Sequence, residues 1–124
     1  MRDVTIQNAL ITGVSLTMAD HGCLTFWISI KWGCCWCNIG GWCIGHGYLN
    51  SKEFYAEKGD GLECLMRIMD TVGVSRWEDL PGNYLRFEDH GLGSTIDTIG
   101  NIIDDKWFDI RKFFEERYKE KTNE

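Results

Sequence analysis

Four cysteines and a histidine crowd the stretch KWGCCWCNIGGWCIGHGY, residues 31–48. Cys34 and Cys37 stand in C-x-x-C spacing, and Cys43 and His46 follow as C-x-x-H. Two such pairs can close a tetrahedral zinc site when a hairpin brings them together, because thiolate and imidazole are both good zinc ligands. C-x-x-C is also the spacing of a redox dithiol. That chemistry draws on a helix N-terminus to lower a thiol pKa, whereas here the motif runs into turn residues. A third reading needs no cysteine chemistry, only small apolar side chains alternating along two glycine-rich strands.

Other constellations are weaker. Asp20-His21-Gly22 and Asp89-His90-Gly91 repeat one tripeptide beside two strands. An Asp that orients a His is general acid–base machinery, which makes Asp89 and His90 the candidates for an enzyme. Adjacent side chains point apart, however, and Asp and Gly are ordinary turn residues. Lys58-Gly59-Asp60-Gly61 opens a helix whose first N–H groups can hold a phosphate, but it is too short and acidic for a nucleotide fingerprint. No G-x-S-x-G, H-E-x-x-H or Walker A pattern occurs. The segment IGNIIDDKWFDIRKFF near the C-terminus is richer. Asn101 places an amide in an apolar strand, Trp107 and Phe108 offer stacking faces, and Arg111 offers a fork for phosphate. Trp107 and Phe108 equally suit an anchor between the last helix and a sheet.

Charge narrows the partners. With 13 Lys+Arg against 19 Asp+Glu the net charge is -6, so no global field draws in polymeric nucleic acid. An anionic ligand must be held by local donors. The opening MRDVTIQNAL lacks a signal pattern, and no apolar run reaches membrane-spanning length. A cytoplasmic protein is expected, whose six cysteines remain thiols or bind metal.

The elements that must position these groups follow from periodicity. Residues 4–18 read as extended. Over residues 23–32, Leu24, Phe26, Ile28, Ile30 and Trp32 alternate with Cys23, Thr25, Trp27, Ser29 and Lys31, which is a half-buried strand. Asn38-Ile39-Gly40-Gly41 has turn chemistry, so residues 41–49 form the returning strand. Residues 60–73 form a helix with Asp60 as N-cap and Gly73 as stop, and its stripe of Leu62, Leu65, Met66, Met69 and Val72 faces inward. Glu63 and Arg67 pair on the other side. Ser75 to Glu78 resembles a capping box, closed by Pro81-Gly82. Residues 84–88 and 95–103 are two more strands around a loop at 89–93. A last helix covers about 109–119, with Ile110, Phe113, Phe114 and Arg117 on one stripe and a frayed tail after it. The order β-β-β-α-β-β-α predicts a single α+β domain over residues 1–124, an antiparallel sheet carrying two main helices.

The order of these segments resembles one family. ADHGCLTFW (19–27), the hairpin with GGW (40–42), GLECLMRIMDTVGV (61–74), WEDLPGNYLR (77–86) and IGNIIDDKWFD (99–109) look like the Thoeris anti-defence sponge proteins of phages. The resemblance spans roughly residues 4–114. It implies a non-enzymatic protein in the cytoplasm of an infected bacterium, without cofactor. Such a protein sequesters glycocyclic ADP-ribose signals made by TIR-domain enzymes and, in some members, cyclic di- or trinucleotides at a separate site. It also implies a symmetric homo-oligomer, from dimer to hexamer, and no membrane partner.

Carried over residue by residue, the resemblance places the signal against Asn101, Trp107 and Arg111, with Arg117 beside them. It places the second anionic site at Arg67 and Lys31. Leu92 stands where the pattern has a stacking aromatic. The hairpin departs too, with Cys34, Cys35, Trp36 and Cys37 where Gly, Ser and Gln are expected. Two other functions stay open at this level. One is a zinc-stabilised interaction module built on Cys34, Cys37, Cys43 and His46, and the other is an enzyme that degrades such a signal.

Overall fold

A computed structural model describes residues 4–20, 22–47, 54–55, 59–91 and 93–122. One seven-stranded antiparallel sheet organises them, in the order β4-β3-β2-β1-β5-β6-β7. The strands are β1 (Thr5–Asp20), β2 (Cys23–Trp32), β3 (Cys35–Gly47), β4 (Phe54–Tyr55), β5 (Tyr84–Asp89), β6 (Thr98–Gly100) and β7 (Trp107–Asp109). Helix α1 (Asp60–Val72) and helix α2 (Ile110–Thr122) complete the α+β arrangement, with a 3-10 turn at Trp77–Asp79. The expected order holds, with two very short strands, β4 and β7, added to it. Helix α2 runs past the expected end at 119.

Alternation makes two unlike faces. Ala9, Ile11, Phe26, Ile28, Ile30, Ile39, Leu85, Phe87, Ile99 and Phe108 are buried on one face, where Cys64, Ile68 and Val72 of α1 and Ile110 and Phe113 of α2 close over them. Each such aliphatic or aromatic side chain contributes about 1.5–3 kcal/mol by leaving water. The register puts the alternate residues on the opposite face. There Ile6, Trp27, Trp36, Tyr84 and Trp107 stay exposed, and no described element covers them. No helix among the described residues is long and apolar enough to cross a membrane.

Four expectations need correction. The β2–β3 hairpin turns at Gly33-Cys34, with Trp32 opposite Cys35, and not at residues 38–41. Gly33 takes φ 56°, as a two-residue hairpin turn requires. Gly40 and Gly41 instead lie at a bulge inside β3, where a Cβ on Gly40 would collide with the Phe26 carbonyl.

The second correction concerns α1. Its buried residues are Gly61, Cys64, Ile68, Thr71 and Val72, while Leu62 and Met66 are 68% and 65% exposed. Gly61 lies so close to the Ile44 backbone that any Cβ there would overlap it. Small residues win this face because the helix sits close to β3. Its N-cap is Gly59 and not Asp60, and Gly73 ends it in the left-handed conformation, donating to the Met69 carbonyl.

Third, only Thr98–Gly100 of the expected strand at 95–103 pairs in the sheet. Asn101 ends it. Its Oδ1 accepts from the backbone N–H groups of Ile103 and Asp104, which turns the chain back toward β7. Fourth, the expected capping box at 75–78 makes no side-chain cap bond, because Glu78 pairs with Arg76 at 2.7 Å.

Candidate functional site

The hairpin register separates the cysteine pairs. Cys37 stands opposite Ile30 and Cys43 opposite Thr25, so about five residues of β2, roughly 17 Å, lie between them. Ligands of one zinc ion must all lie within about 2.3 Å of it. Cys34 sits in the turn, farther still. The four-ligand zinc set of Cys34, Cys37, Cys43 and His46 is therefore overturned by geometry, and no group of three or more metal-ligating side chains clusters among the described residues. His46 lies on β3 at the far end of the hairpin, opposite Cys23, and its side chain is outside the described residues. Cys64 is a core thiol, and burial, with Glu63 alongside, pushes its pKa up to about 12.

The described residues grouped by resemblance fall into five places. Asn101 is buried and its amide is fully used. Nδ2 donates to the Thr71 and Val72 carbonyls at 3.0 and 3.2 Å, and Oδ1 accepts the two loop N–H groups. An amide has two donor hydrogens and two acceptor lone pairs, so none is left for a base edge. Asn101 clips the C-terminal end of α1 to the β6–β7 loop, and this corrects its assignment as a ligand contact. Leu92 lies outside the described residues.

Trp107 does lie on the open face, 36% exposed. Its indole rests on Gly100 of the neighbouring strand, where a Cβ would come within 2.6 Å of the ring. Arg86, next in the same row of the sheet, holds its guanidinium 4.7 Å from the indole centroid. Arg86 donates to the Asn101 and Asp104 carbonyls, so this cation–π pair is pinned by backbone. Sequence reasoning missed Arg86. Its only signal is a cation on the polar side of an alternating strand, which most solvated arginines share.

One row along the same face, Glu88, Thr98 and Asp109 join His90 and the start of α2 around a cleft of about 450 Å³. Arg111 and Lys112 are its permanent cations. Arg111 bonds Asp97 at 3.0 Å through Nε. The other oxygen of Asp97, Oδ1, is buried without a hydrogen-bond partner. Burial raises the Asp97 pKa, Arg111 opposes that shift, and Asp109 adds to it. With Glu115 and Glu116 also on the wall, carboxylates outnumber cations here.

Arg117 and Arg67 come together on the other side of the sheet. Both bond the same oxygen of Glu63, at 2.9 and 2.7 Å, and both lie over the Phe113 ring. Two guanidinium groups thus share one carboxylate. Lys31 is on the open face, with its ammonium 4.9 Å from the Trp36 ring centroid, and is not joined to Arg67.

Asp89 and His90 line different clefts. Asp89 accepts from the Gly91 N–H and the Gln7 side chain and faces a second cleft, while His90 lines the first. No protein-family model, curated protein or solved structure matches the chain.

Proposed function

We propose that this protein captures a cyclic ADP-ribose-type signalling nucleotide and holds it without converting it, as a phage anti-defence sponge in the cytoplasm of its bacterial host. The observation that carries this reading is the Trp107 platform. A half-exposed indole lies on a glycine, steadied by a backbone-pinned arginine, with Arg111 and Lys112 one row away. A stacked base contributes on the order of 1–3 kcal/mol, and a guanidinium fork adds charge-assisted bonds to a pyrophosphate. To meet Arg111 the pyrophosphate must draw it from Asp97, which costs the partly buried carboxylate its cation unless Asp97 takes up a proton, the form its burial favours.

Arg117 belongs with Arg67 in this proposal. The two guanidinium groups around Glu63 form the second anionic site, suited to a cyclic di- or trinucleotide, with a homo-oligomer supplying further copies. Lys31 then has no part in that site. Capture without turnover is also consistent with the separation of Asp89 from His90.

The test is to incubate the protein with glycocyclic ADP-ribose, remove free ligand by ultrafiltration, denature the retained protein by heat and analyse the released nucleotide by mass spectrometry. Intact ligand in amounts stoichiometric with protomer is expected. An altered product would convert the reading to that of a degrading enzyme, and no retained ligand would refute it.

A further inference from the structure

A second cleft, of about 430 Å³, opens between the tip of the β2–β3 hairpin and the β5–β6 connection. Its walls include Trp32, Cys35, Cys37 and Ile96, with Asp89 and Ser94 as its polar side chains. The register explains why it exists. Trp32 pairs with Cys35, and Ile30 with Cys37, so both cysteines belong to the face that the helices cover elsewhere. Helix α1 begins against Ile44, near the opposite end of β3. The hairpin tip therefore carries core-type surface that neither helix reaches. Among the described residues the connection after β5 roofs it.

The chemistry of the walls selects a ligand. Trp32 is fixed edge-to-face against Phe87 at 4.8 Å, which gives the cleft a rigid aromatic wall. Thiols and Ile96 add polarizable and apolar contact. Asp89 holds its place through the Gly91 N–H at 2.9 Å, and each carboxylate oxygen has lone-pair capacity beyond the bond it accepts. No Lys, Arg or His stands among the described lining residues, and although Trp36, which also lines the cleft, carries the Lys31 ammonium 4.9 Å from its ring centroid, a phosphate inside would face the Asp89 carboxylate. The volume lies within the range of small-molecule sites.

We infer that this cleft binds a small planar ring bearing an amino group and no phosphate, of the aminopurine class. The ring lies along Trp32 and the two thiols, and its amino group donates to Asp89. This site is separate from the Trp107 platform and does not depend on the nucleotide-capture reading.

The cysteines supply their own reporters. The native chain is alkylated with iodoacetamide with and without adenine, and each site is quantified by fragment mass spectrometry. Cys35 and Cys37 line the cleft, whereas Cys34, exposed in the adjoining turn, does not. At ten times the dissociation constant, adenine should slow Cys35 and Cys37 by about tenfold and leave Cys34 unchanged. Adenosine monophosphate should protect less than adenine at equal concentration. Asp89→Asn keeps the acceptor for Gly91 and removes the charge, and should weaken adenine protection severalfold. Unchanged rates at Cys35 and Cys37 at the solubility limit of adenine, equal slowing at Cys34, or better protection by the monophosphate would each overturn the inference.

Discussion

The same strands build both faces of this sheet, yet the two faces treat apolar surface in opposite ways. On β2, Phe26, Ile28 and Ile30 are fully buried, while Trp27 between them and Lys31 after them face solvent. On the covered side small residues admit close approach, as Gly61 and Cys64 do beneath α1. On the open side glycines carry large rings instead. Trp27 lies on Gly41 and Trp107 on Gly100. A ring on a glycine keeps one flat face toward the sheet, and the Trp107 ring also carries the Arg86 guanidinium while staying 36% exposed. Burial on one side becomes stability, while exposure on the other keeps stacking surface available at some cost in hydration. The difference teaches that residue size is a poor guide to which side of this fold is core.

The largest expected effect lies on the covered side. Phe26→Ala removes a ring packed against Trp42 and Trp77, with centroids 6.0 and 6.2 Å away, and should cost about 3–5 kcal/mol in urea unfolding. Trp36→Ala, at a site 65% exposed on the open side, should cost less than about 1 kcal/mol. A similar loss for both would break the comparison.

Next in size is Asn101→Ala. It strips partners from two carbonyls and two N–H groups and should cost about 2 kcal/mol or more. Hydrogen exchange should quicken at Ile103 and Asp104 beyond the rise in global unfolding. If exchange there does not change, the clip assigned to Asn101 is wrong.

The smallest effect concerns Asp97. Burial raises its folded pKa above the ordinary value, so the folded chain binds this proton more tightly than the unfolded chain does. That contribution is present below the usual carboxylate range and is lost as pH rises through the raised value. Arg111's attraction is already included in the net direction. Asp97→Asn cannot ionise, so its unfolding midpoint should gain on the native one as pH climbs from about 3 to 7. A native protein that gains on the variant over that range would contradict the burial assigned to Asp97.

Much of the fold was legible because alternation is a direct image of burial. Residues 23–32 alternate in sequence and form β2 with those bounds, although Thr25 on the polar side is buried beside Phe26. The hairpin turn was not legible. Both Gly33 and the Gly40-Gly41 pair adopt positive φ, and only the partner strand shows that one pair of residues turns while the other bulges around Phe26. Helix α1 misled for a related reason, since its stripe of Leu62 and Met66 looked like core. Close packing on Ile44 selected Gly61 instead.

The site was legible only in pieces. Trp107 lies one row along the open side from Asp109, which lines the Arg111 cleft, but an asparagine in an apolar strand reads the same whether it meets a ligand or clips a helix. The pairing of Arg67 with Arg117 depends on how α1 and α2 dock on each other, which no local pattern encodes.

The most direct test of the open side as a binding surface is calorimetric titration of glycocyclic ADP-ribose into native protein and Trp107→Ala, with urea midpoints measured on both. Stacking on Trp107 predicts a loss of about tenfold or more in affinity, with a midpoint close to native. Equal affinities in the two folded proteins would contradict the account.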